Sequence, residues 1–166
     1  MIRTIYRNNI DLTNIADNKA NILLSLNSLM LTFLIPIVLS NLEIIKQHNL
    51  YLPLIILSCT CIMTIILAAI TTRPIRMGKQ NFDSGTSTKS SPFFFGNYYK
   101  MKVENYMQLL ENTINDPAAT KDFIKLDLYF MGKGLGEKYA RIRTCYNVFM
   151  IGLILAVIST IIVIIV

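Results

Sequence analysis

Residues 9–39 read NIDLTNIADNKANILLSLNSLMLTFLIPIVL, a segment that begins polar and ends as nearly unbroken hydrocarbon. Asn14, Asn18, Asn21, Ser25, Ser28 and Thr32 follow one another at steps of four, three, four, three and four, which places them on one face of an α-helix. The positions between them grow steadily more apolar, from Ile22 and Leu23 to Phe33 and Ile35. One helix is therefore expected to pass from water into lipid with its polar stripe turned towards protein or water, because amide and hydroxyl groups are costly against acyl chains. Two uses of the stripe remain open: glue between neighbouring helices, or the lining of a path or moving seam.

The rest of the chain repeats the membrane signal. Of 166 residues, 53% are hydrophobic and 16% charged, a balance that excludes an ordinary water-soluble domain. Residues 20–42, 49–72 and 144–166 contain no Asp, Glu, Lys, Arg or His. As helices each would span roughly 34–36 Å, enough for a hydrocarbon core of about 30 Å. Three crossings are expected, about 20–42, 50–72 and 144–166. Arg3, Arg7 and Lys19 precede the first span, Lys46 alone lies between the first two, and twelve Lys and Arg fall in 73–143. The positive-inside rule then puts the N-terminus and the 73–143 segment in the cytoplasm, with the 42–50 turn and the C-terminus outside.

The 73–143 segment has seven acidic residues, so 12 − 7 = +5 of the formal +6 lies there. Basic charge this close to lipid reads as topology and headgroup attraction, not as nucleic-acid binding. The first apolar run is too long for a cleaved signal and is broken by Pro36 instead of a small-residue cleavage site. Cys59, Cys61 and Cys145 lack the spacing of a zinc site and read as small apolar residues; neither a metal nor a disulfide is expected.

The expected architecture is all-α. Residues 1–72 hold an amphipathic helix capped at Asn9 or Asp11 and the first two spans, joined by a tight turn over 43–49 with the lone His48. Pro53 falls in the first turn of the second span, whose Cys61, Thr64, Ala68 and Thr71 make a small-residue face suited to the stripe of the first. Residues 73–143 form a cytoplasmic linker, flexible over 85–91, and a helical hairpin; 144–166 are the third span. The first and third spans continue into the cytoplasmic bundle. Phe93, Phe94, Phe95, Tyr98 and Tyr99 place five aromatics in seven residues, either an interfacial plug or a stacking surface for a planar ligand. A helix is expected from Asn97 to Asn115, and Asp116-Pro117 is a cap and first-turn pair opening a helix of close to fifty residues that ends as the third span. Gly132, Gly134 and Gly136 weaken its middle, suiting close packing or a hinge. Their run lacks P-loop spacing and a preceding strand. Gly152, Ala156 and Thr160 form a small contact face in the third span.

Catalytic signatures are missing: no HExxH, GxSxG or Cys/His cluster occurs, and the carboxylates are scattered. The chain reads as a membrane device and not as an enzyme.

The motif running from Asn9 through Asp17, Lys19, Ala20, Asn21, Ser25, Asn27 and Ser28 resembles the Pycsar transmembrane effectors. The likeness continues through Arg73-Pro74, Pro92-Phe93-Phe94-Phe95-Gly96 and Asp127-Leu128-Tyr129 to Gly132, Leu135, Lys138, Tyr139 and Arg143. That resemblance implies an anti-phage effector of the bacterial inner membrane. A partner nucleotide cyclase would make a cyclic pyrimidine mononucleotide, cUMP or cCMP, and the effector would answer by impairing the membrane in abortive infection. No other cofactor is implied. Such a ligand needs a cation for its phosphate and an aromatic face for its base. Lys138, Tyr139, Arg141 and Arg143, with Phe95, Asn97 and Tyr98, are the candidates; headgroup anchoring is the other reading of the three cations. Asn14, Asp17, Lys19, Asn21, Ser25 and Ser28 would couple the cytoplasmic layer to a homo-oligomer whose stripes meet around an axis. A membrane adaptor recruiting a soluble partner, with no lesion, is the alternative.

Overall fold

The computed structural model describes residues 1–73, 91–93, 98–99 and 101–165, all helix, turn or connection with no strand among them. In order come α1 (Ile2–Ser40), α2 (Leu42–Gln47), α3 (Tyr51–Thr72), α4 (Val103–Ile114) and α5 (Pro117–Ile165). Three of these, α1, α3 and α5, are long and apolar enough to cross a membrane. Contacts divide the chain into a first unit, Met1–Asp11 with Pro74–Gly136, and a second, Leu12–Arg73 with Glu137–Val166.

Two helix starts differ from expectation. The first helix begins at Ile2 and not at Asn9 or Asp11, with Thr4 and Ile5 N–H groups donating to the Met1 carbonyl at 3.1 and 3.2 Å. Packing outweighs the polar cap signal there, since Tyr6 is already half-buried. Helix α4 begins at Val103 and not at Asn97. The rings of Tyr98 and Tyr106 lie 4.8 Å apart, whereas eight residues of one helix would separate them by about 12 Å. A turn must intervene, and the Met101 N–H closes it on the Tyr98 carbonyl at 2.8 Å.

The join between α1 and α3 is a short helix, α2, where a bare turn was expected. It ends with Asn49 at φ 50°, in the left-handed region that Asn tolerates. Asn49 N–H donates to Lys46 O and Leu50 N–H to Ile45 O, the paired bonds of a Schellman ending, over a buried Ile45. Pro53 sits in the first turn of α3, as its missing N–H requires.

At the start of α5, Asp116 Oδ1 accepts from the N–H groups of Ala118 and Ala119 at 2.9 and 3.2 Å, with Pro117 in the first helical position. The helix then runs unbroken for 49 residues through Gly132, Gly134 and Gly136. A side chain at Gly132 or Gly136 would meet nothing within 4 Å, so close packing is not the reason for either.

In the second unit the core is built from layers of small residues. Ala16, Ala20 and Ile142 form one layer with Tyr139 against it; Leu23, Ala68 and Cys145 form the next, flanked by Leu24, Leu67 and Phe149. Cys61, Thr64, Ala68 and Thr71 are buried, as their small-residue face requires, but their partner on α1 is the Leu23 side and not the polar stripe. The threonines explain this. Thr60, Thr64 and Thr71 each donate their hydroxyl to the carbonyl four residues back at 2.8 Å, so none depends on the stripe for a partner, and Thr71 Oγ1 also lies 3.7 Å from Cys145 Sγ of α5. Gly152 and Ala156 of α5 are buried and Thr160 half-buried.

Gly152 has no room to grow. A Cβ there would run into the Thr60 side chain, 2.7 Å from its Cβ and closer still to its Oγ1 and Cγ2. Gly152→Ala is expected to cost about 1–3 kcal/mol by overpacking, read as a lower Tm in detergent or nanodisc, with partial recovery when Thr60→Gly is added. An unchanged Tm in the single variant would show that the α3–α5 contact is loose.

Candidate functional site

Each unit contains one polar cluster embedded in apolar surroundings. In the second, α1 shows two opposite faces. Ala16, Ala20, Leu23 and Asn27 are buried, whereas Asn14, Asn18, Asn21, Ser25 and Thr32 are exposed and Ser28 half-buried. At 100° per residue the two sets lie on opposite sides of the helix. The stripe is therefore left outside its own chain's core, and at Asn21 and Ser25 it lies within the apolar span.

Where α1 enters that span, Asp17 meets Lys138 of α5. Lys138 Nζ lies 2.5 Å from Asp17 Oδ1, with the lysine side chain 9% exposed and the aspartate 36%. One turn nearer the N-terminus, the Tyr139 hydroxyl donates to the Leu12 carbonyl at 3.2 Å. The structure gives Asp17 a cation from 121 positions away. Burying an ammonium is costly without such a partner. Lys138 is thus engaged, while Arg141, Arg143 and Lys19 are exposed.

In the first unit the cluster centres on Asp127 of α5. Ser91 Oγ donates to Asp127 Oδ2 at 2.9 Å and accepts from the Phe93 N–H at 3.3 Å. Pro92 and Phe123 are buried. Burial pushes the Asp127 carboxyl up, opposed by the Ser91 hydrogen bond, and Tyr6 is raised by burial and then by the Asp127 charge. Of the aromatic run expected to stack a base, Tyr98 is half-buried against Tyr106, and Phe93 and Tyr99 are exposed. Phe95 and Asn97 lie outside the described residues, as do Phe94, Arg76, Lys79 and the 85–90 stretch.

Two of these residues stand within the family likeness without a role that helical spacing assigns them. Asn27 breaks the stripe's step pattern by preceding Ser28, and it falls four residues after Leu23, which was its signal. Asp127 stands four after the buried Phe123, a carboxylate on an apolar face. No group of three His, Cys, Asp or Glu suited to a metal occurs among the described residues.

Breaking the Asp17–Lys138 pair from the lysine's side strands less than breaking it from the aspartate's. Asp17→Ala is expected to cost about 1–3 kcal/mol and Lys138→Met less, because the ammonium is the more buried charge. Unfolding of the two single variants and the double variant measures this, and additive losses would deny the coupling. For Asp127 the sign follows from its raised carboxyl: the folded state holds the proton more tightly, so stability falls as pH rises from the unfolded value through the folded one. Asp127→Asn is expected to flatten that slope and to leave the protein at least as stable at pH 7, checked by Tm between pH 4 and 7.

A family model described as the Pycsar effector protein domain matches residues 1–165 of the chain. Neither the curated proteins nor the solved structures hold a chain that matches it.

Proposed function

The chain belongs to the Pycsar effector family and is thus an anti-phage defence effector, and from that premise we propose that it works as a ligand-gated membrane device. Infection raises a cyclic pyrimidine mononucleotide, cUMP or cCMP, made by a partner cyclase. The effector sits in the bacterial inner membrane with its N-terminus in the cytoplasm and its C-terminus outside. On binding nucleotide, copies of it open a lesion, and the cell is lost before phage matures. The chain performs no catalysis of its own.

The observation that carries this reading is the outward polar face of α1. Three amides and a serine, Asn14, Asn18, Asn21 and Ser25, stand exposed opposite the packed face, and two of them lie in an apolar crossing segment. Lipid cannot satisfy such groups; further copies of the same stripe, or water between them, can. A seam of this kind can be closed when amide meets amide and wet when the helices part.

The nucleotide needs cations for its phosphate and an aromatic face for its base. Arg141 and Arg143, exposed on α5, are the cations for the phosphate, since Lys138 is held by Asp17 and acts with Tyr139 to fix α5 against α1. Tyr98, with Phe95 and Asn97, supplies aromatic and amide contacts to the base. Asp17 and Lys19 lie where a shift of α5 reaches α1.

Cells expressing the protein are expected to depolarise within minutes when a cognate cyclase is induced. Arg143→Ala should raise the nucleotide needed at least tenfold. Asn21→Leu with Ser25→Leu should abolish depolarisation while the protein still accumulates in the membrane. Unchanged membrane potential across cyclic pyrimidine and purine nucleotides would overturn the reading.

A further inference from the structure

We infer that Asn27 is a packing switch: a fully buried amide that holds the three-helix core of the second unit short of its most stable arrangement, keeping a second arrangement within reach. The inference rests on the ligand-gated reading above and assigns the gate's restraint to a residue outside the stripe.

Asn27 is 0% exposed, on the face of α1 that carries Ala20 and Leu23. Its Nδ2 donates to the Leu23 carbonyl at 2.8 Å, but its Oδ1 is buried and accepts no hydrogen bond among the described residues. Leu23 packs with Ala68 of α3 and Cys145 of α5. Leu23 and Ala68 are equally far along the chain from the α2 join, so Asn27 and Thr64 fall together one turn closer to it, with Phe149 one turn on from Cys145.

At that level no side chain offers Asn27 a donor. Thr64, also 0% exposed, gives its hydroxyl to the Thr60 carbonyl at 2.8 Å, and Phe149 has none to give. Thr60 and Thr71, a turn or two away, likewise bond the carbonyl four residues back. Ser159 Oγ repeats the pattern deeper in α5, buried without a partner.

A leucine would fill the same space with no polar atom to satisfy. An amide here therefore costs stability, and what it gains lies in another packing. If α1 turns about its axis or parts from α3, Oδ1 reaches water or a neighbouring amide, and the penalty becomes a driving term for opening. The stripe and Asn27 lie on opposite faces of α1, so one rotation changes the surroundings of both.

The test compares the full chain with Asn27→Leu, and with Asn27→Met in case leucine packs poorly, in nanodiscs of one lipid composition and in cells with the cyclase. Both variants are expected to raise Tm by several degrees and to need at least tenfold more cyclic nucleotide for half-maximal depolarisation. A lower or unchanged Tm in both, or a raised Tm with an unaltered nucleotide requirement, overturns the switch. If the unaltered protein answers no nucleotide, the proposed function fails by itself. Backbone hydrogen exchange of residues 23–32 then decides on Asn27: slowed exchange in the leucine variant upholds the switch, and unchanged exchange overturns it.

Discussion

Everything in the second unit depends on how three apolar helices place their few polar groups where no water is available. Most are satisfied inside their own helix. Thr60, Thr64, Thr71 and Thr160 bond the carbonyl four residues back, which meets the hydroxyl's need within its own helix; Thr71 adds a contact to Cys145 Sγ of α5. Small residues at Ala16, Ala20, Ala68, Cys145 and Gly152 then let the backbones approach, and contact area between them replaces the hydrophobic drive that lipid does not provide.

Against that background two sets of groups are left over. Asn14, Asn18, Asn21 and Ser25 face away from the core, and Asn27 faces into it with a carbonyl oxygen unmet. A resting anchor has no need of either. In the gated device proposed above, both would supply what a bistable element requires: a surface for other copies and a reason for the closed packing to be less than optimal. The Asp17–Lys138 pair stands at the entrance to the span, where a charge-assisted contact fixes the register of α1 against α5.

In the first unit Asp127 accepts from the Ser91 hydroxyl, with Tyr6 near enough to feel its charge. Burial pushes the carboxyl up against the opposing Ser91 hydrogen bond, and Tyr6 of α1, Ser91 and α5 share one cluster.

Periodicity and charge counts alone determined that three helices are long and apolar enough to cross a membrane, that α5 runs as one helix from the Asp116 cap, and that α3 has a small-residue face, because helix length, capping and face are local properties of spacing. The assignment to an effector family was legible too, from ordered motifs spread along the chain. Tertiary structure alone decided which face of α1 is packed, since helical spacing identifies a stripe without saying what lies opposite the core. It also brought Lys138 to Asp17 and Ser91 to Asp127, pairs 121 and 36 residues apart that no local pattern connects. Asn27 shows the division most sharply: its letter differs little from its polar neighbours, and only the packing of α3 and α5 around Leu23 makes it the one amide of α1 that is buried.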